Sequence, residues 1–399
     1  MKHILSCLSV LVLSAILSSS FIHAQATDST IGSGGPGVAA ATGPAGQSAI
    51  SVVSYGAIGD GHADDTAAIN SAMSACVTRA LPHNGCVLYF PAGVYITTGI
   101  TLRSYVHMKG DGWGTSVLML KPHTASDVLT VPADAFNFSI SGLTLDGNSG
   151  RGGIGNCFFV APTATGPAEW NTANKQTAPV NAQKWGHVEE VMFSHCSVDG
   201  IHINAFNYML FFDNFYAFDN GVNGLYTEGT NSGFTNFQIE RNGKAGIHLA
   251  GANNRFTSGE VIWNGGAVGT VGTVGNTGVA ATEAAVYVSG SRNILTAVQT
   301  EDSYTNGFFD NGADNVFMGC VSDSNGYVQK NTNASSRTAS GFVIAGAGGV
   351  YIGDKVTSYR GRLPDGNFTT EWPYSLNTRR DNGKIDITYD STNGPPLIQ

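Results

Sequence analysis

A short phrase recurs along the second half of this chain and constrains its fold more than any other feature. It reads Val198-Asp199-Gly200-Ile201-His202-Ile203, then Val222-Asn223-Gly224-Leu225-Tyr226-Thr227, then Lys244-Ala245-Gly246-Ile247-His248-Leu249, and returns as Thr305-Asn306-Gly307-Phe308-Phe309. Gly200 and Gly224 are 24 residues apart, and Gly224 and Gly246 are 22. A period this short matches one coil of a β-solenoid and is too small for a propeller blade. Within each phrase the apolar residues alternate, so Ile201 with Ile203, Leu225 with Thr227, Ile247 with Leu249, and Val286 with Val288 are expected to point inward. His202, Tyr226, Glu228, His248, Tyr287 and Phe309 then form an outward column, one coil (about 4.8 Å) apart. The expected fold class is all-β: a single-stranded right-handed parallel β-helix with a short N-terminal capping helix.

Composition agrees with many short strands joined by tight turns. Charged residues are 12% of the chain, against roughly 25% in ordinary soluble domains. Of the 399 residues, 52 are glycine, nearly twice the usual share of ~7%. The net charge of -9 argues against a nucleic-acid partner, whose phosphates demand a basic face. It also weighs mildly against a highly anionic glycan. Lys2 and His3, an apolar run from Ile4 to Ile16 and the ending Ala24-Gln25-Ala26 read as an export signal over residues 1–26, so the protein is expected to be secreted. No later stretch is apolar and long enough to span a bilayer. The Gly/Ser/Pro tract over 27–48 is expected to be a flexible linker, with the β-helix over 49–353 and a terminal cap or tail over 354–399. Tracts at 265–283 and 329–339 read as enlarged coils.

The N-terminal stretch carries a second signal. Tyr55-Gly56-Ala57, Gly59-Asp60-Gly61 and Asp64-Asp65-Thr66 lead into a helix starting near residue 65, followed by Tyr89-Phe90-Pro91-Ala92-Gly93-Val94-Tyr95. This run resembles the N-terminal cap of the pectate lyase-like superfamily, which includes rhamnogalacturonase-type hydrolases, lyases, epimerases and phage tail-spike depolymerases. The resemblance implies the β-helix and a carbohydrate substrate, as a monomer or a homotrimer. Asp60, Asp64 and Asp65 are best explained as turn and cap residues. The Asn-Thr-Asp, Asp-Asp, Gly-His-Gly and Arg-Ile-Lys set of the pectin-cleaving hydrolases is absent as a complete set of motifs.

Candidate chemistry lies beside the Asn-Gly turns. Glycoside hydrolysis needs two carboxyl groups roughly 5 to 9.5 Å apart, one protonating the leaving oxygen and one acting as base or nucleophile. Asp219 and Glu240, 21 residues apart and expected on consecutive coils, are the leading catalytic pair. Arg241, His202, His248, Tyr226 and Trp263 are the candidate substrate-binding residues, the aromatic ones as sugar platforms or as cross-coil packing pairs. Asn148, Asn220, Asn242, Asn264 and Asn325 are expected to form hydrogen-bonded ladders or left-handed turns. Of the cysteines that follow the signal, Cys76 and Cys86 could close a short loop, while Cys157, Cys196 and Cys320 read as buried thiols. No metal site is expected.

Three functions fit. The first is an exported glycoside hydrolase using Asp219 and Glu240. The second is a polysaccharide lyase acting by β-elimination, in which Asp219 and Glu240 would hold Ca2+ and Arg241 or Lys244 would remove the C5 proton. The third is a non-catalytic glycan-binding β-helix.

Overall fold

The computed structural model describes residues 49–79, 85–162, 183–265, 284–323, 325, 340–357, 372–376 and 385–389. The export signal, the linker and nearly all of both enlarged coils lie outside these residues. The described strands form a 16-stranded sheet and a 10-stranded sheet, whose pairings are parallel and follow chain order. This is the expected parallel β-helix: each coil adds one rung to each sheet, and the core runs as a cylinder between them.

The smaller sheet is built from short strands such as Phe158–Val160, Ile201–Ile203, Leu225–Thr227, Ile247–Leu249, Ala284–Val288 and Asn306–Asp310. Its register places Phe159 beside His202, His202 beside Tyr226, Tyr226 beside His248, and His248 beside Tyr287. Ile201, Ile203, Leu225, Thr227, Ile247, Leu249, Val286 and Val288 are all fully buried, as the alternation predicts. The larger sheet holds longer strands, including Gln183–Ser194, Tyr208–Phe218, Gly233–Glu240, Arg255–Ile262 and Ile294–Glu301. At an equivalent place in each of these the ladder skips a left-handed residue, in turn Glu190, Asn214, Asn236, Ser258 and Ala297, which bends the strand.

Inside the cylinder, side chains stack coil upon coil. The Phe212, Phe234 and Phe256 rings lie in one column, with centroids 5.1 Å and 4.4 Å apart. At the corner after the larger sheet, Asn220 Nδ2 donates to Asn242 Oδ1 at 3.0 Å, and Asn242 Nδ2 donates to Asn264 Oδ1 at 2.9 Å. Asn325 continues this row by accepting from the Ser303 amide. Asn148 is instead a left-handed turn residue, with φ 50°. A second ladder, Asn254 to Asn293 to Asn315, runs along another corner. These amides satisfy backbone groups that no strand can reach, which is why buried asparagines recur at this period.

The helix Thr66–Arg79 caps the N-terminal end. Asp64 accepts the Thr66 amide, Asp65 accepts the Ile58 and Gly59 amides, and Asp60 accepts those of His62 and Ala63, so all three carboxylates serve turns and capping. Cys76 and Cys86 are bonded, with Cα atoms 5.4 Å apart. Cys157 and Cys196, expected as free thiols, form a second disulfide, with Cα atoms 5.6 Å apart. Their separation of 39 residues conceals a contact made by stacking one coil on the next. Cys320 is free and buried.

The strand Val350–Thr357 pairs in parallel with its neighbours, and Trp372–Leu376 and Ile385–Tyr389 add further rungs to the two sheets. No described helix is long and apolar enough to cross a membrane.

Candidate active site on the short-strand face

The outward residues of the smaller sheet form a continuous ladder of rings. Phe159 and His202 stack at 5.4 Å, His202 and Tyr226 at 4.8 Å, and Tyr226 meets His248 edge-on at 5.0 Å. The column continues through Tyr287, 4.7 Å from His248, to Phe309, 5.3 Å further on. Parallel in-register strands impose this spacing, so the rings pack as a column that is half-buried from Phe159 to Tyr287 and buried at Phe309.

Two of these rings are held by carboxylates. His202 Nδ1 lies 2.7 Å from Asp199 Oδ2, while Asp199 Oδ1 accepts both the backbone amide and the side-chain amide of Asn223, at 2.8 and 2.9 Å. Asp199 is 3% exposed and is held between the Asn223 amides and the His202 ring. In the tautomer that places a proton on Nδ1 toward Asp199, the Nε2 lone pair of His202 would serve as a base. On the next coil the Tyr226 hydroxyl donates to Glu228 Oε1 at 2.8 Å, and Glu228 Oε2 accepts the Ala205 amide at 3.1 Å. Burial, reinforced by Glu228, pushes the Tyr226 hydroxyl far above its ordinary value, so it stays protonated. Burial lowers His248 below the usual imidazole value, against the opposing pull of Asp199 and Glu228. The arrangement therefore juxtaposes one ring able to take a proton and one able to give it.

Asp219, Glu240, Arg241 and Trp263 occupy a different place, at the ends of the larger sheet's strands. Asp219 and Glu240 do sit on consecutive coils, but Arg241 joins them: its Nε and Nη2 contact Asp219 at 3.0 and 3.2 Å, and its Nη1 bonds Glu240. Its guanidinium also lies 5.5 Å from the Phe218 ring centre. His195 extends the row, with Nδ1 3.0 Å from Asp146 and Nε2 4.0 Å from Asp219. The hydrogen bond to Asp146 raises His195 above the ordinary imidazole value. Glu260 is raised by burial and by its neighbours Glu301 and Glu240. Trp263 is half-buried in the same row as Arg241. The candidate set thus divides between two faces: His202, Tyr226 and His248 on one sheet, and Asp219, Glu240, Arg241 and Trp263 at the edge of the other.

The supporting residues Asp199, Glu228 and His195 were not among the sequence-derived site residues. Asp199 could have been found, because it occupies the position taken by Asn223 and Ala245 in the neighbouring repeats and is three residues before His202. Among the described residues no three His, Cys, Asp or Glu side chains converge as a metal site.

Comparison with known proteins matches residues 49–270 to the family described as rhamnogalacturonase A/epimerase, pectate lyase-like. Over 110 residues the chain is 39% identical to the mannuronan C5-epimerase AlgE2 of Azotobacter vinelandii, and 32% identical to AlgE4 of the same organism. The AlgE2 match covers 24% of this chain and 11% of that protein, so the chain spans only a small part of that relative. Among solved structures, the enzymatically active domain of bacteriophage CBA120 tailspike protein 2 aligns with a TM-score of 0.61 at 15% identity, covering 84% of this chain and 46% of that one. The A-module of AlgE4 aligns with a TM-score of 0.55 at 16% identity, covering 88% and 99%. At these identities the structural matches speak to the fold alone.

Proposed function

Because the chain belongs to the rhamnogalacturonase A/epimerase, pectate lyase-like family, we propose that it is an exported enzyme moving the C5 proton of a hexuronate within a polysaccharide. The observation that carries this reading is the Asp199-His202 pair stacked 4.8 Å from Tyr226. A C5 hydrogen beside a uronate carboxyl group is acidified, because the electron pair left behind delocalises into that group. His202 Nε2 takes the proton, and Asp199 stabilises the imidazolium that results. The Tyr226 hydroxyl, kept neutral and positioned by Glu228, supplies a proton from the neighbouring coil. Reprotonation of C5 from the opposite face inverts that centre. If the electron pair instead forms the C4–C5 double bond, the C4–O bond breaks and the chain is cleaved by elimination, with Tyr226 protonating the departing oxygen.

The names of the curated relatives, mannuronan C5-epimerases, favour the proton-transfer step common to both outcomes. The hydrolytic alternative asks for one carboxyl group free to protonate a leaving oxygen, whereas Asp219 and Glu240 both engage Arg241. The test is incubation with mannuronan and other polyuronates in heavy water, with and without calcium. C5 deuterium or near-ultraviolet absorbance supports the reading. Reducing ends without either would select hydrolysis, and no change in any glycan would select a binding protein.

A further inference from the structure

Alongside the ring ladder runs a trough of about 630 Å3. It begins at Glu228 and Thr230 and passes over Ala250, Ser289, Asn311 and Ala345, each the first residue past a strand of the smaller sheet. Two contacts tie it to the rings. Glu228 lines the trough and holds the Tyr226 hydroxyl, and Ser289 lines it with Oγ 3.3 Å from His248 Nε2. The floor is glycine backbone because the coils approach too closely for side chains: a Cβ on Gly290 would stand 1.8 Å from the Gly251 carbonyl oxygen. The trough is also asymmetric. On the N-terminal side of His202 the ladder has one further ring, Phe159, whereas beyond Tyr226 it has three, His248, Tyr287 and Phe309, with the trough beside them.

The chemistry of this lining selects a ligand. Its polar groups are the Ser289, Ser291 and Thr230 hydroxyls, the Asn311 amide and backbone groups, and its one charged member is the acidic Glu228. Such a surface hydrogen-bonds sugar hydroxyls, and the rings beside it pack against sugar C–H faces. A run of uronates laid there would bring negative charge toward Glu228 without a compensating cation in the lining. Resting on the proton-transfer reading above, we propose that the trough and the Tyr287 ring bind the part of the glycan adjoining the reacting uronate, and that this part consists of uncharged sugars. The substrate is then a mixed polysaccharide, and its longer bound arm points toward the C-terminal coils.

Calorimetric titration of the full chain with neutral oligosaccharides of glucose, galactose or mannose, and with oligouronates of equal length, tests this. The expected result is tighter binding of a neutral oligosaccharide, weakened about tenfold by Tyr287→Ala. Ser289→Tyr, at an exposed position, fills the trough without removing core packing and is expected to abolish that binding. The proposal is overturned if oligouronates bind more tightly and release with rising salt, if neither class binds, or if Ser289→Tyr leaves neutral binding intact. C5 exchange measured on the same samples separates the two readings. Neutral binding without exchange on any uronate removes the catalytic assignment and leaves the trough, while exchange without neutral binding does the reverse.

Discussion

The Tyr226 hydroxyl, on the strand Leu225–Thr227, and the Glu228 carboxylate, just past the end of that strand, are joined by a 2.8 Å hydrogen bond where the ring ladder meets the trough. Glu228 thus orients Tyr226 while lining the trough. Removing the hydroxyl as Tyr226→Phe keeps the stacked ring and deletes the proton donor. Turnover is expected to fall by roughly 10² to 10⁴ with little change in KM, as measured by steady-state kinetics on a polyuronate-containing glycan. An unchanged kcat would remove Tyr226 from the chemistry.

Arg241 is expected to matter for stability. Its guanidinium serves two carboxylates whose side chains are only 12% and 6% exposed, and Arg241→Ala removes that cation from both, leaving Asp219 with His195 at 4.0 Å. A loss of about 3 kcal/mol is expected, measured by urea unfolding. Asp219→Asn and Glu240→Gln should likewise lower stability more than turnover. Loss of turnover with unchanged stability would restore them as the catalytic pair.

His195 predicts a pH-dependent contribution. The Asp146 hydrogen bond raises its folded value above the unfolded one, near 6.5. The stabilisation is therefore full below about pH 6.5 and is lost as pH rises through the folded value. The Tm difference between the wild type and His195→Gln should be positive in mild acid and shrink on the alkaline side. A difference that grows with pH contradicts this assignment.

The Cys157–Cys196 bridge closes a loop with a sequence separation of 39. The double variant Cys157→Ser with Cys196→Ser should lose about 4 kcal/mol, read as a lower urea midpoint. Equal stability of the two proteins would show that coil stacking alone fixes this corner.

The repeat made the fold legible because side-chain alternation and coil period are local properties. The positions of Ile201, Leu225 and Ile247 in the core, and of His202, Tyr226 and His248 outside it, follow from spacing alone. The Asn220 to Asn264 ladder was legible for the same reason. What spacing could not supply was which outward residues share a face. Asp219 and Tyr226 flank the same turn, yet one follows a strand of the larger sheet, Tyr208–Phe218, and the other lies on the smaller, in Leu225–Thr227. The Cys157–Cys196 bond was hidden similarly, since a sequence separation of 39 parts residues that stacking reunites. The strands after residue 357 carry no repeat phrase, so only their parallel pairing assigns them to the two sheets.

The most direct test of the account is the fate of the C5 hydrogen when mannuronan and mixed uronate glycans are incubated in heavy water with the wild-type chain and with His202→Ala. The account predicts deuterium at C5, or an unsaturated uronide, with the wild type, and a drop to background with the variant. New reducing ends with no deuterium and no ultraviolet absorbance, produced equally by both proteins, would contradict it.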